Sequence, residues 1–335
     1  MIDTLLSNVA DLVNDKVIFI TGGTGSFGNE LTEVLLSKYQ PRKIIIFSRD
    51  EFKQFTMKQK FPESKFPCMR YFVGDVRDYD RLLMATRGVD VLFHAAAMKQ
   101  VDTIEYNPFE AIKTNINGTE NVIKSAIFNK IPRVIGVSTD KCVSPVNLYG
   151  ATKLCLEKLI IYGNMMSGKD GPIFSVLRYG NVFGSRGSVV PLFLKQKENG
   201  VITVTDEKMT RFTLTLRQAI TFVLNSASIM KGGEVFVPKL PSYNIMQLAK
   251  CVDPTCQIKV IGKRPGEKVH EAMISSSESY RTKIMPDYYV VLPEIKVGTD
   301  YSMYGDKNMD DEVEYSSGNN ELMKDEVLSV LIKNL

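Results

Sequence analysis

The chain has 335 residues, 44% of them apolar and 24% charged, and its formal net charge is +4. This length can bury a substantial core in one large or two modest domains, and the interspersed charges argue against a nucleic-acid-binding protein. No stretch approaches the ~20 uncharged apolar residues of a membrane span, and no apolar signal core follows a basic N-terminal segment, so we expect a cytoplasmic protein without a membrane partner.

From residue 16 onward, short β-branched runs alternate with longer amphipathic segments. The runs that predict strands are residues 17–20, 44–47, 71–73, 91–93, 134–137 and 174–177. This alternation predicts an α/β fold with a doubly wound, mostly parallel sheet of the Rossmann type. Gly and Pro punctuate the chain after residue 179 and predict a smaller second domain. We place the first domain at residues 1–181, with the helical segment 215–235 added to it, and the second mainly at residues 182–335.

A glycine-rich loop follows the first predicted strand and opens a helix. Residues 21–28 (TGGTGSFG) place glycines at 22, 25 and 28. Such a loop lets the backbone approach a pyrophosphate at a helix N-terminus, although an ordinary turn at a helix start is the alternative. The loop residues that we expect at a dinucleotide are Gly22, Thr24, Gly25, Ser26, Phe27 and Gly28.

The ends of the next strands predict which dinucleotide binds. Ser48 and Arg49 follow the second strand, and Lys53 lies one turn further on. An arginine there can hold the ribose 2′-phosphate of NADP, so we predict NADP rather than NAD. Asp50 leaves a ribose contact open, and a surface arginine without a ligand is the other alternative. Further along the chain, we expect the cofactor to contact Asp75, Val76, Ala95, Ala96 and Ala97, although Asp75 could equally cap a helix.

Two short segments predict the chemistry. Residues 138–141 (STDK) end an apolar strand, and Tyr149 and Lys153 lie four apart, on one face of a helix. A lysine beside a tyrosine can lower the pKa of the phenol, so that it accepts a proton. Ligands of open α/β sheets bind beyond the strand ends, so Asp140 and Lys141 would face the same substrate. For Lys141 to act as a base its pKa must fall, which burial beside Lys153 would favour; a strand-end ion pair is the alternative.

Five cysteines, an odd number without C-x-x-C spacing, argue against a disulfide framework or a zinc site, and we predict no metal. His94 and His270 are predicted to be packing or hydrogen-bonding residues.

Taken together, these motifs resemble the extended short-chain dehydrogenase/reductase family and, within it, the soluble inverting UDP-N-acetylglucosamine 4,6-dehydratases. The resemblance covers the chain from about residue 16 to about residue 317. It is carried by residues 21–28 (TGGTGSFG), 94–97 (HAAA), 138–141 (STDK), 147–153 (NLYGATK), 178–182 (RYGNV), 184–188 (GSRGS), 209–212 (MTRF) and 264–271 (RPGEKVHE). Retaining dehydratases carry an Asp-Glu pair where this chain has Asp140 and Lys141. Cys142, Met98 and Thr213 depart from the residues common in the family.

The resemblance implies a lyase that uses NADP and UDP-N-acetylglucosamine and forms a homo-oligomer, a dimer or a larger ring. The first domain would bind NADP and the second the nucleotide sugar. The implied catalytic residues are Thr139, Asp140, Lys141, Tyr149 and Lys153, the last two also contacting the cofactor. Lys141 would be the C5 base and Asp140 the acid at O6, jointly or in reverse. The implied substrate ligands are Lys99, Asn181, Arg186, Arg211, Arg264 and Glu267, with a structural role open for Arg211.

Two other functions stay open from the sequence. A UDP-sugar 4-epimerase would invert C4 without loss of water. A cofactor-binding regulatory or scaffold protein would keep the fold without turnover, although the intact Asp140, Lys141, Tyr149 and Lys153 argue against it.

Overall fold

A computed structural model describes residues 8–168, 170–185, 187–295 and 298–335. The helices in this part of the chain are α1 (Val9–Val13), α2 (Ser26–Lys38), α3 (Glu51–Lys60), α4 (Tyr79–Ala85), α5 (Val101–Tyr106), α6 (Pro108–Ile112), α7 (Gly118–Phe128), α8 (Leu148–Ser167), α9 (Val189–Gln196), α10 (Leu216–Ile229), α11 (Ile245–Val252), α12 (Ser276–Ser279) and α13 (Asp325–Lys333). Lys113–Asn117 forms a π-helical turn that joins α6 to α7.

The strands follow the predicted alternation closely. They are β1 (Val17–Thr21), β2 (Lys43–Ser48), β3 (Met69–Val73), β4 (Val91–His94), β5 (Arg133–Val137), β6 (Ile173–Leu177), β7 (Asn181–Val182), β8 (Val201–Val204), β9 (Thr210–Leu214), β10 (Val235–Pro238), β11 (Ser242–Asn244), β12 (Gln257–Val260), β13 (Ala272–Ile274), β14 (Thr282–Ile284), β15 (Tyr288–Val291) and β16 (Tyr315–Ser316). Each of the six strands predicted before residue 179 is present.

The main sheet has nine strands in the order β14-β15-β10-β6-β5-β4-β1-β2-β3. Strands β1 to β6 and β10 run parallel, whereas β15 and β14 add antiparallel pairs at one edge. β1 lies between β2 and β4, with Ile18 paired to both Ile44 and Val91. Strand order therefore reverses beside β1, which is where open α/β sheets bind ligands. The predicted α/β fold is confirmed.

Two main apolar cores stabilise this arrangement. The larger one covers the sheet with α2, α7, α8 and α10 and includes Phe19, Phe93 and Phe174. The smaller one packs α9, α11 and α13 around residues such as Phe193 and Leu248. Burial of an aromatic or leucine side chain contributes roughly 2 kcal/mol, so each core supplies a large favourable term. The main sheet also includes β10, β14 and β15, which follow residue 181 in the chain. The division into two domains at residue 181 stays a prediction.

Candidate active site

The loop between β1 and α2 is shaped by its glycines. Gly22 has φ +65°, and a Cβ there would lie 2.9 Å from the Cα and N of Ala96. At Gly28, a Cβ would overlap the carbonyl oxygen of Gly23. The loop thus forms a turn that only glycine fits, and it brings bare backbone to the N-terminus of α2. This arrangement fits a dinucleotide pyrophosphate.

A cavity of about 210 Å³ lies beyond the carboxyl ends of β1, β2, β3 and β4. The predicted cofactor residues that line it are Gly22, Thr24, Ser48, Arg49, Lys53, Asp75, Val76, Ala96 and Ala97. Of the other predicted cofactor residues, Gly25, Ser26, Phe27 and Gly28 lie in the loop and the start of α2, Ala95 follows β4, and Tyr149 and Lys153 are on α8. Gly74, beside Asp75, also lines the cavity. Phe47 and Thr114 line it too and were missed because they carry no charge or motif.

The rim of this cavity carries both signs of charge. Arg49 lies 3.7 Å from Asp75, and Lys53 pairs with Asp50 at 3.1 Å. Asp50 caps α3 by accepting a hydrogen bond from the backbone of Lys53 at 3.0 Å. Burial tends to raise the pKa of Asp75, but hydrogen bonds from Arg77 outweigh it and lower the pKa. Asp75 does not cap α4, because Asp78 does.

The catalytic candidates follow β5 directly. Asp140–Cys142 forms a 3₁₀ turn whose N-cap is Thr139. Lys141 Nζ donates hydrogen bonds to Asp140 Oδ1 and Asn181 Oδ1, both at 3.0 Å, and lies 3.8 Å from Glu271 Oε1. Thr139 Oγ1 also donates to Asp140 Oδ1, at 2.9 Å. The predicted pair is therefore a real ion pair, set at the end of a buried strand.

The charge of Lys141 differs from the prediction. Burial tends to lower its pKa, but the carboxylates of Asp140 and Glu271 outweigh burial and raise the pKa well above that of an ordinary lysine. The predicted fall of this pKa, through burial beside Lys153, is wrong for the ligand-free protein. Two carboxyl groups lie within 3.8 Å of the amine, and they favour the ammonium form of Lys141.

Tyr149 and Lys153 lie one turn apart near the start of α8, whose N-cap Asn147 accepts a hydrogen bond from Gly150 N at 2.8 Å. Burial raises the pKa of Tyr149 to about 12, and the positive charge of Lys141 opposes this rise. Lys153 donates to the carbonyl of Val137 at 2.5 Å, and burial lowers its pKa to about 8. The predicted lowering of the Tyr149 pKa by Lys153 is thus not found without a cofactor.

A polar residue that the sequence did not single out supports this helix. Asn115 lies in the π-helical turn and donates to Thr152 Oγ1 and to the Met98 carbonyl, each at 3.0 Å. The backbone N–H of Met98 donates back to Asn115 Oδ1 at 2.8 Å. Asn115 therefore ties the segment after β4 to α8. Its only sequence signal is a buried amide within an otherwise regular helical pattern, which is weak.

The predicted substrate ligands are only partly brought together. Asn181 contacts Lys141, whereas Arg211 donates to the backbone carbonyls of Thr210, Val269 and Lys268 at 2.7, 3.0 and 3.1 Å. These bonds give Arg211 a structural role in the ligand-free protein. Arg186 lies outside the described residues.

The loop before β13 carries two more candidates. Arg264 N donates to Glu267 Oε2 at 3.2 Å, and the arginine side chain is exposed. Asn147 Nδ2 donates to the carbonyl of Gly266 at 2.9 Å, which ties this loop to the start of α8. Lys99 is exposed shortly before α5. The structure therefore brings the 264–267 loop to the start of α8 and leaves Lys99 exposed.

Both histidines are held by threonine hydroxyls. His94 is fully buried between Thr21 at 2.8 Å and Thr119 at 3.0 Å, and burial lowers its pKa to about 3. His270 Nδ1 lies 2.8 Å from Thr210 Oγ1. Within the described residues, no group of three or more His, Cys, Asp or Glu side chains is arranged to hold a metal. No helix in the same part of the chain is long and apolar enough to span a membrane.

Comparisons with known proteins agree with this geometry. The profile of a family described as "Polysaccharide biosynthesis protein" matches residues 18–293. The chain is 50% identical over 324 residues to an inverting UDP-N-acetylglucosamine 4,6-dehydratase of Campylobacter jejuni subsp. jejuni serotype O:2, covering 94% of this chain and 96% of that protein. It is 41% identical over 336 residues to a UDP-glucose 4-epimerase of Rickettsia bellii, covering 96% of both. The X-ray structure of Pen from Bacillus thuringiensis superposes with a TM-score of 0.87 at 38% identity, covering 97% of this chain and 99% of that one.

Proposed function

We propose that this chain, which belongs to the polysaccharide biosynthesis protein family, catalyses the inverting 4,6-dehydration of UDP-N-acetylglucosamine. The resemblance to inverting dehydratases inferred from the sequence is confirmed by the 50% identical relative. The observation that carries the proposal is the Asp140–Lys141 ion pair, which lies beside Tyr149 at the end of β5. An acid/base pair next to a tyrosine is what an elimination preceded by oxidation requires.

The first step is removal of the C4 hydroxyl proton. Tyr149 is the acceptor, and Thr139, within hydrogen-bonding reach of the phenol, orients it. The chemistry that NADP supplies when bound is acceptance of the C4 hydride and its later return to C6, together with the positive charge of its oxidised ring. Lys153, whose pKa burial lowers to about 8, lies on the same face of α8 and adds positive charge when protonated.

The second step is loss of water across C5 and C6. Lys141 is the member of the pair that substrate can reach, since 26% of its side chain is exposed against 1% for Asp140. We assign the two residues jointly: Asp140 takes a proton from the Lys141 ammonium through their hydrogen bond, and the neutral amine formed in this way contacts H5 and O6. The ketone at C4 acidifies H5, the C6 hydroxyl leaves as water, and a proton returns to C5. Protons taken from O4 and C5 equal those given to O6 and C5, so the enzyme is unchanged after each turnover.

The nucleotide sugar would lie along the loops that follow β6 and precede β13. Arginine suits a diphosphate because its planar fork pairs with two oxygens, which supports Arg264 and Arg186 as ligands. Glu267 can accept from a ribose hydroxyl, Asn181 holds Lys141 beside the sugar, and Lys99 can reach it. Arg211 would act by shaping the 268–269 backbone.

Cofactor choice, assembly and domain roles complete the proposal. Arg49 and Lys53 at the cavity rim support NADP over NAD.

A homo-oligomer is supported by exposed apolar side chains on neighbouring helices, namely Tyr106, Phe109, Phe128, Tyr162 and Met166. We further propose that residues 1–181 and 215–235 bind NADP and that residues 182–335 mainly bind the sugar nucleotide. A cytoplasmic location stays a prediction.

Incubation with UDP-N-acetylglucosamine tests the reaction. Mass spectrometry should show loss of one water, and proton NMR should show a 6-deoxy-4-keto sugar of the L-arabino configuration. A UDP-sugar 4-epimerase is the second candidate, favoured by the 41% identical relative. It would give a C4-inverted sugar of unchanged mass. Bound cofactor without any product from UDP-hexoses would instead indicate a regulatory protein.

A further inference from the structure

A buried carboxylate outside the predicted catalytic set faces Lys141. Glu271 directly precedes β13 and is 4% exposed. Its Oε1 lies 3.8 Å from Lys141 Nζ, and its Oε2 has no hydrogen-bond partner among the described residues. Burial raises the pKa of Glu271. A buried carboxylate without a full set of hydrogen-bond donors is costly, so its presence here points to a specific role.

Among the described residues, three cations lie within 4.0 Å of this carboxylate, and they differ in how else they are held. Arg211 Nε and Lys268 Nζ each lie 4.0 Å from Glu271. Arg211 is fixed by three backbone carbonyls, and Lys268 donates to the carbonyl of Val143 at 2.5 Å. Among its described contacts, Lys141 is held by side chains alone. Loss of the Glu271 charge would therefore act mainly on Lys141.

We propose that Glu271 is a positioning residue that, together with Asp140, keeps Lys141 charged and holds its amine toward the substrate. This inference rests on the proposed dehydration, in which Lys141 is the contacting group. The other ionisable groups around the pair are Tyr149 on α8, Arg211 on β9, Tyr243 on β11, Lys268 before β13, and Asp140 itself. Asp140 and Glu271 are the carboxyl groups of this cluster, and Lys141 lies between them at 3.0 and 3.8 Å.

The role predicts a measurable change at Lys141 in the free protein. Replacing Glu271 by Gln removes one of the two carboxyl groups within 3.8 Å of the amine, so the pKa of Lys141 should fall. For each unit by which the pKa falls, the neutral fraction of the Lys141 amine rises about tenfold at a fixed pH. The rate of its acetylation by acetic anhydride should rise by the same factor. Peptide mass spectrometry measures this rate at Lys141. Glu207→Gln, which removes an exposed carboxylate, should leave the rate unchanged.

A conservative variant keeps the test valid if Glu271→Gln folds poorly. Glu271→Asp retains the charge, so its Lys141 acetylation rate should stay close to that of the unmodified protein. An equal rate in the folded Glu271→Gln and unmodified proteins overturns the proposal. So does an equal rise in Glu271→Gln and Glu271→Asp, because that would reflect altered packing rather than charge.

Turnover provides the second measurement. In Glu271→Gln, the pH profile of water loss from UDP-N-acetylglucosamine should shift to lower pH, whereas C4 oxidation keeps its profile. A merely structural role would lower both steps alike at every pH. If the unmodified protein forms no dehydrated product, the proposed function fails, but the acetylation result still decides whether Glu271 sets the charge of Lys141.

Discussion

The guanidinium of Arg49 lies 3.7 Å from the carboxylate of Asp75, across the rim of the cavity beyond β2 and β3. Arg77 binds the same carboxylate more closely, at 2.7 Å, so Asp75 does not depend on Arg49 for a partner. Arg49 is also 54% exposed and can turn toward a ligand at little cost. An arginine placed in this way is available for a phosphate on the adenosine ribose.

We therefore expect NADP to bind more tightly than NAD, and we expect Arg49→Ala to reduce the ratio of the two affinities. A charge-assisted hydrogen bond contributes ~1.5–3 kcal/mol, so the preference should fall by roughly tenfold or more. Titration calorimetry with both cofactors measures it. Arg42→Ala is the control, because Arg42 pairs with Asp90 at the opposite end of β2. Equal affinity of the unmodified protein for NADP and NAD would contradict the proposed preference for NADP.

The backbone of Gly22 leads to a second prediction. Gly22→Ala should greatly weaken cofactor binding, because the new Cβ would lie 2.9 Å from backbone atoms of Ala96 and push the two loops apart. Gly88→Ala is a matched control: its φ of +67° resembles the +65° of Gly22, but nothing lies within 4 Å of its Cβ.

Both variants should lose about 1 kcal/mol of stability from the left-handed backbone. Only Gly22→Ala should lose cofactor affinity, as measured by fluorescence titration. Similar affinities in the two variants would show that the close approach at Gly22 does not shape the site.

Tyr149→Phe should nearly abolish C4 oxidation while cofactor binding survives, because the phenol is lost but the ring remains. Removal of a general base usually costs ~10²–10⁴-fold in rate. Single-turnover mass spectrometry of the sugar measures the step. Tyr162→Phe, on the exposed part of the same helix, should behave as the unmodified protein. A near-normal rate in Tyr149→Phe would mean that the C4 proton leaves by another route.

Much of this site could be predicted because it depends on local sequence. The glycines of residues 21–28 fix a turn, and the spacing of Tyr149 and Lys153 fixes their helical face, whatever packs around them. The strands were predicted for the same reason, since a buried parallel strand reads as a short apolar run.

The charge state of Lys141 could not be predicted in this way. It depends on Glu271, a residue from another part of the fold that meets Lys141 only when β13 packs beside the end of β5. Asn115 was missed because a π-helical turn leaves no mark on helical periodicity. Local patterns thus identify the reacting groups, whereas their pKa values follow from contacts between distant segments.

The buried amine of Lys153 predicts how stability depends on pH. Its pKa is about 8 in the folded protein and near 10.4 in an unfolded chain. Between these values the unfolded state binds more protons, so stability should rise with pH by up to roughly 1 kcal/mol per unit. Urea unfolding at several pH values should show this rise, relative to Lys153→Met, from about pH 8 upward. Lys158→Met, an exposed lysine on the same helix, should follow the unmodified protein.

Lys141 gives the sharpest prediction, because the proposed inversion at C5 depends on which face receives the returning proton. We assign that proton to Lys141 or to a water that it controls. In D₂O, UDP-N-acetylglucosamine should therefore give a UDP-2-acetamido-2,6-dideoxy-L-arabino-hex-4-ulose with one solvent deuterium at C5, detectable by proton NMR. A product that keeps the D configuration at C5 would contradict the inverting assignment.

Lys141→Met should stall the reaction after C4 oxidation, leaving a sugar that has lost two hydrogens but keeps its C6 oxygen. The amine is the part of the pair that substrate reaches, so water loss should slow by ~10²–10⁴-fold. Asp140→Asn should slow the same step, because Asp140 accepts a hydrogen bond from Lys141 at 3.0 Å and exchanges protons with it. Lys158→Met serves again as the control. Unaltered turnover in Lys141→Met would show that another group removes H5, because a methionine side chain has no amine that could accept the proton.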